Sequence, residues 1–495
     1  MTFESFKHLA KSYTAIPIYR QLLADTLTPV SLFLNIREDS YMPFLFESVE
    51  GGDQLARYSF LGCNPYQSLH FDGEQTWLKR KNGEHIAHSS YFEALKKYTT
   101  EYTEPSIPGL PRLTGGAVGY SSYDTFREVE YLPNVPSDDL GLPEAVWGFY
   151  DEIYAFDHVK HQVILIHTVR IEELSVSNEM DDQGWLSLYE QAQEALDLME
   201  AKVHRGIRKG ASFEISPDEL KSNMKQDYFS QIVEKAKHHI YEGDIFQVVL
   251  SQRFETYCSG DTFMLYRALR MVNPSPYLFY LDFEDFQLVG SSPEVLVSVQ
   301  DRKVRVLPIA GTRKRGETLE EDLQLEEDLK NDPKEIAEHV MLVDLGRNDV
   351  SRVSKAGTVK LDRSQVIERY SHVMHIVSDV SGTLADNKTA VDALMQCFPA
   401  GTVSGAPKIR AMQLIDEMEP TKRGIYAGAV GYFDYSGNMD TCIAIRTMVV
   451  TNDKVYIQAG AGIVADSVAA REFDETVNKA GALVKALSTA LEIRD

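Results

Sequence analysis

The sequence predicts a large two-part α+β protein, and three observations carry that reading. At 495 residues the chain exceeds one ordinary domain of roughly 100–200 residues. Its first half is written in short apolar or alternating runs broken by Gly, Asp or Pro, the pattern of strands and turns. Longer segments with apolar residues three and four apart stand on either side of a polar stretch in mid-chain. A composition of 43% hydrophobic and 25% charged residues excludes disordered, collagen-like and coiled-coil classes.

In chain order, SLFLNI (31–36), FLFESV (44–49) and ARYSFLG (56–62) read as strands, and Pro105, Pro108 and Pro111 mark a loop before Thr114. Over 185–204, Leu188, Ala192, Leu196 and Met199 stand at helical spacing. The polar stretch RGIRKGASFEISPDE (205–219) reads as a linker, so the boundary is placed near residue 220, between domains 1–220 and 221–495. A helix at about 227–241 and the strand FQVVLSQRF open the second part. GAVGYSSYD (116–124) recurs as GAVGYFDYS (428–436), which is either a chance likeness of two strand ends or the trace of a duplicated layer. The acidic run at 317–333 reads as a solvated face.

Fifty basic residues against 74 acidic ones leave a net charge of −24. Such a chain is a poor nucleic-acid binder, and any anion site must be built locally from Arg, backbone N–H groups or a metal. Cys63, Cys258, Cys397 and Cys442 lie far apart, which argues against a disulfide framework or zinc cluster and for a reducing, cytoplasmic setting. The start, MTFESFKHLAKSY, lacks a signal-peptide core, and no run approaches the roughly 18 apolar residues of a membrane span.

Two segments carry paired glutamates at helical spacing. In KEIAEHVMLVDLGRND, Ile336, Val340 and Val343 make an apolar stripe while Glu335 and Glu338 lie one turn apart. In VAAREFDETVNKAGALV, Phe473, Val477 and Val484 are the expected buried side and Glu472, Glu475 and Lys479 the exposed one. Carboxylates from two helices suit one Mg²⁺; they equally suit solvent-facing helix surfaces. In AGTVSGAPKIRAM, Ser404 or Gly405 caps a helix with Pro407 in its first turn; QAGAGIVADS is a second glycine-rich backbone. Neither is a dinucleotide fingerprint or a P-loop. Arg446, inside the apolar run CIAIRTMVV, reads as a buried arginine that needs an anionic partner, either a structural carboxylate or a substrate. His372 and His375 suit either a satisfied core or a site.

The strings FESVEGGDQLARYSFLG, GGAVGYSSYD, NPSPYLFYLDF, GSSPEVLV, PIAGTRKRG, KEIAEHVMLVDLGRNDVSRV, FPAGTVSGAPKIRAM and REFDETVNKA together resemble the chorismate-utilising enzymes, and within them the large-subunit group of the anthranilate synthases. The resemblance runs over nearly the whole chain. It implies mostly antiparallel sheets packed face to face with helices outside. By position, Glu338 and Glu475 match Mg²⁺-binding glutamates, with Glu335 and Glu472 in the surrounding acidic shell. Tyr426 and Arg446 match residues holding the enolpyruvyl carboxylate, with backbone help from Gly460 and Gly462. Thr402 lies on the ring side, and Thr312 neighbours the amination site. Glu294 matches the general acid and His375 the histidine of pyruvate elimination.

The implied reaction adds ammonia at ring carbon 2 of chorismate as the carbon-4 hydroxyl leaves, then expels pyruvate to give anthranilate. Two positions choose within the family. The related aminodeoxychorismate synthases commonly carry a nucleophilic lysine in P-I-K-G-T, where this chain has Ala310. Isochorismate and salicylate synthases carry a base lysine where this chain has Gln247. None of the four cysteines has the setting of a glutaminase nucleophile, so the resemblance implies a separate glutamine amidotransferase subunit or free ammonia. Glu47 and Ser48, with Asn273, Pro276, Tyr277 and Leu278 from the second part, match the family's L-tryptophan feedback site, although Phe46 departs from the usual L-L-E-S string. An aminodeoxychorismate synthase component, or a chorismate- or tryptophan-binding homologue without catalysis, remain the alternatives.

Overall fold

In the computed structural model, which describes residues 1–48, 57–172, 180–206, 212–216, 220–370 and 373–493, the strand-forming runs assemble into two antiparallel sheets. Among the described residues one sheet has thirteen strands and the other twelve. The first runs Ala15–Leu23, Gln162–Arg170, Glu152–Asp157, Tyr58–Gly62 and Phe44–Glu47, then Tyr277–Asp282, Phe286–Ser292, Thr447–Thr451, Lys454–Ile463 and Gln247–Gly260. The second runs Ile309–Lys314, Val373–Thr383, Lys303–Val306, Val295–Gln300, Met439–Ile443 and Ala429–Asp434, then Gly116–Ser121, Ala145–Tyr150, Gln67–Phe71, Thr76–Arg80 and His85–His88. Both sheets therefore draw strands from both sides of residue 220. The stretch read as a linker supplies the short strand Phe213–Ile215 beside Gln247–Gly260; residues 207–211 and 217–219 lie outside the described residues, as do 49–56 and His372.

Alternation along the strands produces the layering. Phe44, Ile153, Phe279 and Leu288 of the first sheet meet Val118, Tyr120, Val146 and Val430 of the second in a shared core. Helices cover the outer faces, with Phe6, Trp185, Leu196 and Leu483 on the first and Tyr91, Leu95 and Leu394 on the second. Each such large side chain contributes roughly 1.5–3 kcal/mol by leaving water. Among the described residues no helix is long and apolar enough to cross a membrane.

Several elements fall where periodicity put them: a helix Asp182–Val203, N-capped by the Asp181 side chain, and a helix Gln226–Tyr241. SLFLNI does not. It belongs to the helix Pro29–Ile36, because Pro29 stands at a helix start and Thr28 and Ser31 form a reciprocal capping box. Local capping thus overrides a run of strand-like composition. The acidic run forms the helix Leu319–Asn331, yet Asp322 is buried against Arg315 and Arg369, so that face is partly consumed by ion pairs.

The internal echo has a structural counterpart. Gly116–Ser121 and Ala429–Asp434 pair antiparallel, with Gly119 opposite Gly431, at the seam where the two parts of the chain meet in the second sheet. A Cβ on Gly119 would lie 2.0 Å from the Val146 carbonyl oxygen, and one on Gly431 2.0 Å from that of Asp440. The same steric demand recurs on both sides of the seam.

One buried ion pair ties the second part together. Arg423 and Glu419 are nearly inaccessible; the guanidinium also donates to the Val403 and Val249 carbonyls, each at 2.6 Å, and Glu419 accepts from the Ser251 N–H at 2.8 Å. Removing one partner strands the other charge in a low-dielectric interior. Glu419→Ala is therefore expected to cost about 3–5 kcal/mol in denaturant unfolding, and the joint change Glu419→Leu with Arg423→Met less than that single change.

Candidate active site

Two of the places where the chain changes sheets lie side by side. Phe286–Ser292 lies in the first sheet and Val295–Gln300 in the second; Met439–Ile443 lies in the second and Thr447–Thr451 in the first. Glu294 sits in one crossover and Arg446 in the other. The crossovers bond to each other: the Ile443 N–H donates to the Glu294 carbonyl and the Ser291 N–H to the Arg446 carbonyl, both at 3.0 Å. Arg446 is thus not within a strand, as its apolar neighbours suggested. It stands at the turn between sheets, with φ +52° and its side chain half-buried.

Glu294 accepts a hydrogen bond from Thr402 Oγ1 on its Oε1 at 2.8 Å. Burial pushes its pKa up to about 7, against the opposing pull of Thr402 and Lys479. Thr402 lies in the short 3-10 turn Gly401–Val403, whose last carbonyl Arg423 holds. The helix that follows starts at Lys408 with Pro407 in the cap position, while Gly405 and Ala406 pair with the strand at Gln247; neither Ser404 nor Gly405 caps it.

The Arg446 guanidinium donates to the Lys479 carbonyl, and burial lowers its pKa while Tyr426 and Glu475 favour its charge. Lys479 Nζ lies 2.7 Å from Glu475 Oε1 and donates to the Gly460 carbonyl at 3.1 Å. The two glycines are needed because the strand passes close to side chains. A Cβ on Gly460 would lie 2.7 Å from Tyr426 Oη, and one on Gly462 2.7 Å from Gln247 Nε2. Gln247 Nε2 donates to Glu338 Oε1 at 3.3 Å, which links this strand pair to the acidic helix.

Both acidic helices depart in part from their expected faces, although Val343 is buried and Phe473 and Val484 pack against the core. In Pro333–Ser351 the buried residues are His339, Leu342, Val343, Asp349 and Val350, and Val340 is 45% exposed. His339 replaces the expected valine because its Nε2 pairs with Ser378 Oγ at 2.6 Å. In Ala469–Glu492 the small residues Thr476 and Ala480 are buried with Leu483, Val477 is 42% exposed, and Glu472, Glu475 and Lys479 are half-buried rather than solvent-facing. Burial raises the pKa of Glu338 and of Glu472; Glu335 adds to the first and Glu475 to the second by like-charge repulsion. An all-oxygen set from two helices, its carboxylates repelling within each helix, fits a hard dication that keeps several waters. Among the described residues the one trio of ligand atoms within 4.8 Å of one another is elsewhere, at His239, Glu242 and Asp244, where Arg410 already pairs with Asp244.

Thr312 and His375 face each other on paired strands. Thr312 Oγ1 lies 3.1 Å from His375 Nδ1, which also lies 3.0 Å from the Gly311 carbonyl. That carbonyl places the proton on Nδ1, and burial lowers the imidazole pKa, helped by Arg446. Gly311 closes the link to the acidic helix: a Cβ there would lie 3.2 Å from Glu335 Oε2. Sequence reasoning missed the bonds from Lys479 to Gly460 and from Gln247 to Glu338, whose partners are remote in sequence.

A second hollow, of about 290 Å³, opens on the seam in the first sheet, where Glu47 pairs with Leu278. Glu47, Ser48, Pro276, Tyr277 and Leu278 line it; Asn273 does not, because its amide reaches Ser291 Oγ at 3.4 Å instead. Glu47 accepts from Tyr266 and Arg270, and Tyr277 donates to Asp440 at 2.9 Å. Asp440, Tyr432 and Arg112 also line the hollow without having been singled out in the sequence.

A family model described as chorismate binding enzyme matches residues 42–485. The chain is 47% identical over 497 residues to anthranilate synthase component 1 of Acetivibrio thermocellus, spanning 100% of this chain and 99% of that one. It is 44% identical over 510 residues to the component 1 of Aquifex aeolicus, with the same coverage. The crystal structure of anthranilate synthase component I from Streptococcus pneumoniae TIGR4 superimposes with a TM-score of 0.72 at 36% identity, over 94% of this chain and 99% of that one. With the family model matching residues 42–485 and relatives 44–47% identical along the chain, this chain belongs to the chorismate-binding enzyme family.

Proposed function

We propose that this chain is the synthase subunit of an anthranilate synthase, converting chorismate and ammonia to anthranilate and pyruvate, the first step of tryptophan biosynthesis. The observation that carries the reading is Glu294: a carboxyl with a pKa near 7, hydrogen-bonded by Thr402, in the crossover bonded to that of Arg446. A general acid works best with a pKa near the operating pH. Arg446 and Tyr426 hold the enolpyruvyl carboxylate of chorismate, and the backbone at Gly460 and Gly462 lets it approach. Ammonia, beside Thr312, bonds to carbon 2 as Glu294 protonates the departing carbon-4 hydroxyl. His375, its Nδ1 anchored by the Gly311 carbonyl, presents Nε2 for the proton transfers of pyruvate elimination. Glu338 and Glu475 would hold Mg²⁺, which supplies Lewis acidity and a template for the ring carboxylate.

Ala310 and Gln247 favour direct amination over the aminodeoxychorismate and isochorismate reactions. No amine stands at 310 to form a covalent adduct, and the neutral amide at 247, committed to Glu338, is no base. All four thiols are buried, and burial raises their pKa values, that of Cys258 to about 12. Glutaminase chemistry needs an accessible thiolate, so glutamine-derived ammonia would come from a separate amidotransferase subunit, component II.

The seam hollow suits feedback by L-tryptophan. Its aromatic and apolar wall takes an indole, and Glu47 and Asp440 take an ammonium. Two strands lead from it to the site: Tyr277 is the register partner of Ser292, two residues before Glu294, and the Asp440 strand runs into the Arg446 crossover. A ligand that favours one arrangement of these strands changes the geometry at both crossovers.

Incubation with chorismate, Mg²⁺ and ammonium should generate anthranilate fluorescence; no anthranilate from the wild type refutes the reading. Glu338→Gln or Glu475→Gln should abolish that signal and weaken Mg²⁺ binding in calorimetry, with unfolding unchanged; near-normal turnover at limiting Mg²⁺ would remove them from the metal site.

Because Glu294 acts protonated, its contribution is complete below its pKa and lost as pH rises through about 7. At saturating free ammonia, kcat/KM for chorismate should fall through that limb. Thr402→Val removes a bond that favours the carboxylate, so the limb should move to higher pH; a shift to lower pH would contradict the assignment.

Ser48→Leu should relieve inhibition by added L-tryptophan and leave uninhibited turnover within about twofold. Equal loss of both would place Ser48 in the catalytic machinery instead.

A further inference from the structure

Behind Glu294 lies a second, smaller hollow of about 50 Å³. Its wall includes Glu294 and Thr402 together with Leu342, Leu345, Gly346 and Asp349 along one side of the helix Pro333–Ser351. A water molecule requires roughly 10–15 Å³ of such space, and a dry cavity that takes an aromatic ring about 150 Å³. The hollow therefore admits water-sized molecules and excludes chorismate itself. Apart from Glu294, Thr402 and Asp349, which Lys408 holds at 2.9 Å, the lining is apolar or backbone. Two glycines keep the wall thin. A Cβ on Gly346 would lie 3.1 Å from Val306 Cγ2 and 3.3 Å from Pro308 Cγ, and one on Gly401 2.2 Å from Leu345 Cδ2.

Thr402 donates to Oε1 of Glu294, which leaves Oε2 as the oxygen that carries and delivers the acid proton. We propose that the hollow is the receiving pocket for the water formed from the carbon-4 hydroxyl. The inference rests on the assignment of Glu294 as general acid in the proposed function. In the step concerned, the nitrogen lone pair forms the bond to carbon 2, the ring double bonds shift, and the carbon-4–oxygen bond breaks with its electron pair on oxygen. The Oε2 proton makes that oxygen water. The new ammonium nitrogen then loses one proton, which restores the carboxyl through solvent, so the net change is one ammonia consumed and one water released. Water kept against carbon 4 adds back to the ring; water drawn into a neighbouring pocket does not. Ammonia is the other water-sized candidate, but it attacks carbon 2, two ring bonds from the carbon that Glu294 serves.

Filling the hollow tests this. Gly346→Ala and, separately, Leu345→Phe should lower kcat for anthranilate at saturating ammonium about tenfold, with the KM values for chorismate and ammonium within about twofold. Unchanged kcat in both folded variants overturns the proposal. A raised KM for ammonium at unchanged kcat also overturns it, by making the hollow an ammonia entry. Should Gly346→Ala fail to fold, Leu345→Phe decides. A high-resolution crystal structure of the wild-type chain should hold an ordered water bonded to Glu294 Oε2 in the hollow, and a dry hollow refutes the proposal whatever the activity. Wild-type protein that makes no anthranilate would refute the functional reading instead, so the two failures are distinguishable.

Discussion

The site depends on two backbone crossovers that satisfy each other. A strand that leaves its sheet takes its N–H and C=O groups away from the ladder, and those groups must find partners. Here the partners are in the adjacent crossing. Ile443 bonds to Glu294, Ser291 to Arg446, and Ala427 and Gly428 close on Ala444. One constraint therefore places an acid, a guanidinium and the Tyr426 ring within a few residues of backbone that cannot move independently. That is the preorganisation a site needs to stabilise developing charge without rearrangement.

Electrostatics work on the same scale. A chain with net charge −24 offers no long-range attraction to an anionic substrate, so the attraction is local and sheltered. Arg446 and Lys479 stand half-buried beside the crossovers, where lowered dielectric strengthens each interaction. The same shelter lifts the Glu294 pKa to about 7 and raises those of Glu338 and Glu472, each repelled by a second glutamate of its own helix. The buried Arg423–Glu419 pair lies behind them, fixing the turn that carries Thr402 and the strand that leads to Gly460. Its worth is in position more than in stability, since a buried pair roughly offsets its own desolvation.

The seam between the two parts of the chain builds a second hollow from the strands that end at the crossovers. Tyr277 and Asp440 line that hollow and bond to each other. Tyr277 lies opposite Ser292, two residues before Glu294, and the Asp440 strand runs on into the Arg446 crossover. The bonded crossovers give the proposed feedback a route from this hollow to the site through register and backbone hydrogen bonds.

Periodicity in the sequence alone determined the helices Asp182–Val203 and Gln226–Tyr241, the strands near 44–47 and 58–62, and the echo that pairs at the seam; the cap that makes SLFLNI a helix is equally local, but strand-like composition masked it. The motif strings also named the residues that the structure gathers at the cleft, including Glu294, Thr402, Arg446 and Glu475. Information that is local, or carried by long motifs, was legible there. Tertiary structure decided the rest. Arg446 became a crossover residue because neighbouring strands belong to different sheets. The two acidic helices buried residues beyond their apolar stripes because His339 found Ser378 and because small residues, Thr476 and Ala480, allowed close packing. Each outcome depends on a partner tens to hundreds of residues away, and apolar spacing within one element holds no information about that partner. The Lys479 bond to Gly460, the Gln247 bond to Glu338 and the hollow behind Glu294 arise in the same way, from surfaces that exist only once the sheets have closed on each other.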